Sequence, residues 1–414
     1  VTQEELFEHT ATLSSDEFEG RFPGSNGEEK TLKELHKQFK PFDCQTQEQV
    51  VPLTEVTNLT DSEWTVTTEK GDFTLTSPSD ITRSVVSTPT DEINLSNKEI
   101  IFVGFGINAK EFDWDDYSDY DVTDKVIITL VSDPGCVKAE DNSFQSKFPK
   151  GKMTYYGRWT YKFEEAVKQN AAAIFVVHKT EFAGYPWSVA LQSSNRSYVR
   201  SQSNSKKSLV QGWISEEAMV KIIGKNYDAL VEEAIQKDFS PYVIGKNAST
   251  TVRNSLKQFS SNNFIATLPS DNNLATPKYL FYSAHWDHFG VKADGSIAYG
   301  ARDNALSVSA LIALARQFSQ VKNRNVNIVF LMPTAEEQGL IGSKYYVDNP
   351  IYPLENTIGI MNMDLLNVFG RTNDISFYGD VHQLFEEPLQ KALKLQNRVL
   401  IPDPNPSNGM FYRS

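Results

Sequence analysis

Two histidines and an aspartate fall within four positions where the chain reads SAHWDHFG, from residue 283 to residue 290. The run before them, KYLFYSA, has the length and composition of a buried strand. His285, Asp287 and His288 therefore lie at the end of a predicted buried strand. Buried strands seldom end in so many titratable groups, so this cluster indicates a site that binds something.

Other residues with metal-binding or acid–base chemistry follow other predicted elements in the second half of the chain. They are Asp303 and Asn304 at a helix start after YGAR, Glu336 and Glu337 after the apolar run VNIVFLMPT, and Asp364 after IGIMNM. Zinc binds imidazole nitrogen and carboxylate oxygen at about 2.0–2.2 Å, and a pair of cations needs a carboxylate between them. The predicted metal ligands are His285, Asp303, Glu337 and Asp364.

Two further carboxylates stand next to predicted ligands and suit supporting roles. Asp287, two residues from His285, can accept the second imidazole N–H and fix the tautomer. Glu336 is adjacent to Glu337 and suits a general base that acts on a metal-bound water. His288 is interpreted as a structural or pocket-wall residue, for which no metal role is expected.

Strands that alternate with helices are the elements that would bring these residues together. From about residue 260, the predicted strands NFIATLP, KYLFYSAH, VNIVFLMPT and NTIGIMNMDLL are interspersed with the helical patterns NALSVSALIALARQFSQV and GLIGSKYYVDN. This alternation predicts an α/β fold with a mainly parallel sheet between helices. In such folds, function gathers at the carboxyl ends of the strands, which is where the titratable residues fall.

The first part of the chain has a different pattern. Residues 1–54 contain the helical patterns EELFEHTATL and NGEEKTLKELHKQF, separated by the structured loop SSDEFEGRFPGSNG. Residues 55–255 are β-rich, with a hairpin predicted at WTVTTEKGDFTLTS. This stretch has the size of a domain and shows no cluster of His, Asp and Glu at metal-binding spacing.

Composition excludes several classes of partner. The chain has 414 residues, 40% hydrophobic and 22% charged, which is typical of an ordered globular protein. Its net charge of −13 and the lack of a Lys/Arg block argue against nucleic acid and anionic membrane as partners. No apolar run approaches the ~20 residues that a membrane span needs. Cys44 and Cys136 are either one disulfide or two inert thiols, and no CxxC motif exists for a zinc ribbon.

Four motifs in order resemble the co-catalytic zinc aminopeptidases of metallopeptidase family twenty-eight. They are HWD at 285–287, GARDN at 300–304, EEQGLIGS at 336–343 and NMD at 362–364. SSDEFEGRFPGSNGEEK resembles the N-terminal loop of the family. IIFVGFGI and YGRWTYKFEEAVKQNAAAIFVVH resemble the protease-associated domain that some members insert before the catalytic core. One such motif is weak evidence, whereas four in order with an insert of this kind are strong.

The resemblance implies a zinc-exopeptidase core built from residues 1–54 and 256–414, with a β-rich protease-associated domain inserted at 55–255. It implies an aminopeptidase that removes N-terminal residues from peptides through a metal-bridging hydroxide. The implied roles are: His285 and Asp364 as terminal ligands of one zinc, Asp303 as the bridge, Glu337 as a terminal ligand of the second zinc, Glu336 as general base and then proton donor, and Asp287 as the residue that orients His285. A cis peptide bond between Asp303 and Asn304 is also expected.

The sequence departs from the family pattern at two places. Ala-Leu-Ser stands at 305–307, where members often have Ala-Ser-Gly. The chain ends NGMFYRS, whereas the family continues with Asp-His, whose histidine completes the second zinc site. His382, the one histidine after Asp364, is interpreted as a surface residue. We therefore expect a natural protein that continues further, and a second zinc site that lacks one ligand and binds its metal poorly.

Two alternative functions remain beside the exopeptidase. A single-zinc acyltransferase like glutaminyl cyclase is opposed by the Glu336–Glu337 pair and by the insert. A non-catalytic binding module on the same fold is opposed by the complete run of ligands up to Asp364. Export to the periplasm or the cell exterior, with a removed signal peptide, is expected from the family and from the start VTQEELFEHT. The pattern does not specify side-chain preference or oligomeric state.

Overall fold

A computed structural model provides the fold and covers most of the chain. It describes residues 2–118, 120–141, 143–192, 197–202, 208–272, 275–292, 294–376, 378 and 383–413. The predicted surface position of His382 lies outside the described residues.

The α-helices of the described residues are distributed along the whole chain. They are α1 Gln3–Leu13, α2 Asn26–Phe39, α3 Pro134–Val137, α4 Trp159–Lys168, α5 Thr180–Ala183, α6 Trp187–Gln192, α7 Glu216–Ile223, α8 Tyr227–Ala234, α9 Leu306–Ser319, α10 Ile341–Asp348 and α11 Gln383–Leu395. Polar caps begin the first two: Thr2 forms a capping box with Glu5, and the Ser25 hydroxyl accepts from Glu28 N. Among the described residues, no helix is both long and apolar enough to cross a membrane.

The strands range from two residues to twenty-seven. They are β1 Gln45–Asn58, β2 Glu63–Thr68, β3 Gly71–Thr76, β4 Val85–Val86, β5 Glu92–Phe102, β6 Asn108–Ala109, β7 Trp114–Asp115, β8 Val126–Leu130, β9 Ala173–Val177, β10 Ser197–Ser201, β11 Val210–Ile214, β12 Tyr242–Leu268, β13 Tyr279–Ser283, β14 Gly290–Val291, β15 Ile297–Ala298, β16 Asn327–Met332, β17 Thr357–Asn362, β18 Asp374–Ser376 and β19 Val399–Ile401. The predicted hairpin is confirmed as β2–β3.

The predicted α/β fold is confirmed. One large sheet contains two parallel runs, β17–β13–β16 in the second half of the chain and β5–β8–β9–β11 in its middle. Most antiparallel pairings involve the long strands β1 and β12, which pair with each other over fourteen positions. β12 pairs with β5 through its first half and with β16 through its last residues, so it joins the two runs.

Helices cover both faces of the sheet around β16, as the alternation of strands and helices predicts. Phe264 and Ala266 of β12 pack with side chains of α1, α2 and α9, whereas Ile265 packs on the opposite face with Tyr346 of α10. Successive strand residues point to opposite faces, so one strand contributes to both layers.

The middle part of the chain has a hydrophobic core of its own, formed largely by β5, β8, β9 and β11 with α4, α7 and α8. The predicted boundaries at 54/55 and 255/256 fall inside β1 and β12, which run continuously past both cores. The division into domains and the protease-associated character of the insert stay predictions.

Both cysteines are free thiols, which agrees with the second of the two readings of the sequence. Cys136 is buried and Cys44 is half-buried. Burial raises the pKa of each thiol to about 12. Because the thiolate is the reactive form, burial lowers the reactivity of both thiols.

Candidate metal centre

Three parallel strands end together and place three of the predicted ligand segments side by side. Ser283 of β13 is in register with Leu331 of β16 and with Asn362 of β17. His285 and Asp364 each lie two residues past the end of their strand, and Glu336 lies four residues past β16. The parallel register is therefore what gathers these side chains at one edge of the sheet.

Asp303 reaches the same edge from a wide, irregular turn, Ala301–Ala305, that leads into α9 and has non-helical backbone angles at Asp303 and Asn304. The expected cis peptide bond between Asp303 and Asn304 is present. The Asn304 side chain donates from Nδ2 to Met363 O at 3.0 Å. That hydrogen bond fastens the turn to the segment just before Asp364.

His285 Nε2 lies at the centre of a group of carboxylate oxygens. The distances are 3.2 Å to Asp303 Oδ1, 3.6 Å to Asp364 Oδ1 and 3.8 Å to Glu336 Oε2. Nε2 and Asp364 Oδ1 are buried and form no hydrogen bond among the described residues, although an unpartnered buried polar atom is costly. The imidazole is 2% exposed.

These separations match a shared metal ion. Two ligands of a tetrahedral zinc lie about 3.3–3.6 Å apart, because each bond is about 2.0–2.2 Å long. The distances from His285 Nε2 to the Asp303 and Asp364 oxygens agree with that spacing within 0.1 Å or so. The residues present therefore fit a zinc ion, and its binding would give the orphaned atoms a partner.

The same region brings together two other groups whose ligand atoms lie within 4.8 Å of one another. They are His285 with Glu336 and Glu337, and His288 with Asp303 and Glu337. All four predicted ligands thus lie at one place, together with Glu336.

His288, which the sequence predicts to be a structural or pocket-wall residue, contacts one of the predicted ligands. Its Nδ1 lies 2.5 Å from Glu337 Oε1. This contact is shorter than the spacing of two ligands on one zinc, so these two atoms are hydrogen-bonded to each other. The available sequence signal was a second histidine three residues after His285, where the chain leaves β13.

Asp287 contacts His285 by a different atom from the one expected. His285 Nδ1 bonds the backbone carbonyl of Asp287 at 3.1 Å, whereas the carboxylate oxygen Oδ1 is 3.7 Å away. That oxygen accepts the backbone N–H of Glu336 at 3.2 Å. Asp287 is completely buried and thereby links the loop after β13 to the loop after β16.

Electrostatics show that the cluster is short of positive charge. Burial raises the pKa of Glu336 to about 8, and the nearby Asp287, Glu337 and Asp364 carboxylates raise it as well. Burial disfavours the His285 imidazolium, but its carboxylate neighbours outweigh this and raise the pKa of His285 well above its ordinary value. Burial and the crowding of carboxylates therefore favour the protonated form of Glu336, and the carboxylates around His285 favour its protonated form. A divalent cation would relieve that crowding.

A family model of known proteins matches the part of the chain that contains this site. Residues 263–414 match the family model of Peptidase family M28. This stretch contains every residue of the metal centre and begins within β12. The chain has no significant match among the curated proteins with which it was compared.

Among solved structures, an aminopeptidase from Aneurinibacillus sp. strain AM-1 has a similar fold. Its TM-score is 0.53 at 18% identity, over 98% of this chain and 81% of that one. This likeness supports the fold, including the middle part of the chain. A zinc aminopeptidase from Bacillus subtilis (TM-score 0.45, 18% identity, 98% and 80% coverage) and a Peptidase M28 precursor from Shewanella amazonensis (0.43, 15%, 99% and 81%) are more weakly similar.

Proposed function

We propose that the chain belongs to Peptidase family M28 and is a zinc-dependent exopeptidase of the aminopeptidase type. The observation that carries the proposal is the orphaned His285 Nε2, with carboxylate oxygens of Asp303 and Asp364 at 3.2 Å and 3.6 Å. The match of residues 263–414 to the family model supports it.

Two zinc ions are proposed. His285, Asp303 and Asp364 would hold one, and Asp303 and Glu337 would hold the other. Zinc in this place would polarise the scissile carbonyl of the peptide and lower the pKa of a bound water.

Glu336 is the proposed general base. Its carboxylate points into the cluster, 3.8 Å from His285 Nε2, and its pKa is raised to about 8 by burial and neighbouring carboxylates. A carboxyl group with a pKa near neutrality can accept a proton from the attacking water and return it to the leaving amine.

Asp287 is the proposed orienting residue. Its carbonyl engages Nδ1 of His285 and its carboxylate holds the Glu336 backbone. One residue would therefore align both the ligand and the base, as outer-shell partners of metal ligands commonly do. We further propose that residues 55–255 form an inserted protease-associated domain and that the protein is exported.

Metal content and substrate choice test the proposal. The purified chain, stripped with a chelator and then dialysed against zinc, should bind zinc by elemental analysis. It should also release the chromophore from aminoacyl p-nitroanilides and leave their N-acetylated forms intact. His285→Ala should lose both properties. His36→Ala is the control, because that imidazole contacts Thr46 and Glu48 on β1.

Two results would contradict the aminopeptidase. A folded chain that binds no zinc would be a binding module on this fold. A zinc-loaded chain that cyclises N-terminal glutaminyl peptides, without hydrolysing any aminoacyl substrate, would be the acyltransferase.

A further inference from the structure

Arg21 is a buried arginine that lies beneath the metal centre, although it comes from the opposite end of the sequence. It ends the short helical segment Asp16–Arg21 between α1 and α2, and its whole residue is 1% exposed. A guanidinium remains charged in proteins, so its burial requires an explanation.

The guanidinium donates to four backbone carbonyls. Nε donates to Trp286 O at 2.9 Å, Nη1 to Leu13 O at 2.6 Å and Tyr299 O at 2.8 Å, and Nη2 to Gly300 O at 2.8 Å. The carbonyl of Arg21 in turn accepts from His288 N at 3.2 Å. Arg21 therefore ties the segment 286–288, which follows ligand His285, to the segment 299–300, which precedes ligand Asp303.

The residues around Arg21 are closely packed. A Cβ atom on Gly300 would lie 2.6 Å from Arg21 Nη2 and 2.7 Å from His288 Cδ2. A Cβ on Gly20 would lie 2.9 Å from Gly290 O, in the β14–β15 hairpin between the two ligand segments. The loop that carries Arg21 is thus fitted to that hairpin.

The positive charge of Arg21 is not neutralised by a directly bonded carboxylate in the described part of the chain, so it acts on the carboxylates of the metal centre. Among the described residues, its hydrogen bonds all go to neutral carbonyls and it forms no salt bridge. Asp287, Asp303 and Glu337 are the charges that act on it most strongly. It therefore offsets carboxylate charge without occupying the oxygens that a metal would need.

We propose that Arg21 is a positioning residue of the proposed metal centre, whose planar fork of donors fixes the two ligand segments that carry His285 and Asp303. Its charge also lowers the repulsion among the carboxylates before metal binds. This inference rests on the proposed function. Lysine cannot replace the fork, because an ammonium has three donors on one atom.

Zinc affinity, measured by competition with a chromophoric chelator, tests the inference. Arg21→Lys keeps the charge and loses the fork, and should weaken zinc binding by about 10–100-fold, the usual effect of removing an outer-shell partner. Arg21→Gln loses both and should bind more weakly still. In Arg21→Ala, added methylguanidinium should restore zinc affinity, and methylammonium at the same concentration should restore less.

The control is Arg158→Lys, because Arg158 is also buried, at 5% exposure, but belongs to the middle part of the chain. It should lower the melting temperature of the metal-free protein and leave zinc affinity unchanged. If Arg21→Lys behaves in the same way, the role of Arg21 is structural only and the inference is overturned. If Arg21→Lys does not fold, Arg21→Gln and the methylguanidinium rescue decide, and equal affinity with and without rescue overturns it. A wild-type chain that binds no zinc overturns the proposed function and this inference together.

Discussion

Glu336 and Glu337 are neighbours in sequence, yet their carboxylates meet different partners. Glu336 Oε2 lies 3.8 Å from His285 Nε2, with no basic side chain hydrogen-bonded to it among the described residues. Glu337 Oε1 is held by His288 at 2.5 Å. Burial raises the pKa of both carboxyl groups, that of Glu336 to about 8. A carboxylate that is fixed by a hydrogen bond, as in Glu337, suits a metal ligand. A carboxyl group without such a bond and with a pKa of about 8, as in Glu336, suits a general base.

Glu336→Gln should therefore separate catalysis from metal binding. We expect peptidase turnover to fall by about 10²–10⁴-fold, the range of general acid–base catalysis, while bound zinc stays at the wild-type level. Glu337→Gln should instead lower bound zinc. Chromogenic assays and elemental analysis on both variants check this, with Glu355→Gln as the control outside the cluster. Equal zinc loss in the two variants would contradict the separate roles.

The raised pKa of Glu336 also predicts how pH affects the metal-free protein. Its pKa is about 8 in the folded chain and 4.5 as the ordinary value. Between these pH values the folded state holds a proton that the unfolded state has released, so the free energy of unfolding falls as pH rises from about 4.5 to about 8. Urea unfolding across this range should show that slope, and Glu336→Gln should reduce it. His285 acts in the same direction, since its pKa is also raised. An unchanged slope in the variant would contradict the assignment.

The turn from Gly300 to Ala305 is the element that delivers Asp303. Gly300 has φ +58°, a conformation in which side chains are strained. Its carbonyl is held by Arg21. A Cβ there would lie 2.5 Å from Asp303 O, so a side chain would clash with Asp303, the proposed bridging ligand. The turn therefore requires glycine at position 300 as well as the hydrogen bonds that hold it.

Gly300→Ala should destabilise the protein and weaken zinc binding together. Gly295→Ala is a matched control, because Gly295 also has a positive φ, +83°, but a Cβ there would meet nothing within 4 Å. In the control, only backbone strain should lower the free energy of unfolding, by about 1–2 kcal/mol, and zinc affinity should be retained. Thermal unfolding and chelator competition measure both effects. Equal behaviour of the two variants would show that the contacts of Gly300 do not matter.

The middle part of the chain also supports the site. A small core joins Val51 and Leu53 of β1 and Val199 of β10 to Ala335 and Ile341, which flank the Glu336–Glu337 loop. The Gln338 side chain accepts from Val199 N at 3.3 Å. The predicted insert is therefore packed directly against the loop that carries the proposed base.

Val199→Ala should loosen that loop. Loss of two buried methyl groups lowers the free energy of unfolding by about 1.5–3 kcal/mol, and we expect a fall in peptidase turnover as well. Val210→Ala is the control, because Val210 is equally buried but lies in the separate core of the middle part. It should lose similar stability with turnover retained at a temperature where both variants are folded. Similar turnover in the two variants would show that the small core does not influence the loop.

The order of residues is enough to predict the main elements of the second half of the chain and the convergence of the main site residues. Apolar periodicity predicted β13, β16, β17 and α9, and parallel strands bring their carboxyl ends together whatever the details of packing. His285, Asp303, Glu336 and Asp364 could therefore be placed at one edge of the sheet, and the expected cis bond at Asp303 is present.

Which atoms contact one another follows from the folded structure and not from the local pattern of residues. The contact of His288 with Glu337, the use of the Asp287 carbonyl and the clamp of Arg21 on four carbonyls depend on how loops fold over the strand ends. The passage of β1 and β12 from one core to the other likewise follows from long-range pairing. Hydrophobic periodicity is a local property, so it can be seen in the sequence. A backbone carbonyl can accept a hydrogen bond whatever its side chain. The donors that bind such carbonyls therefore leave no pattern in the sequence.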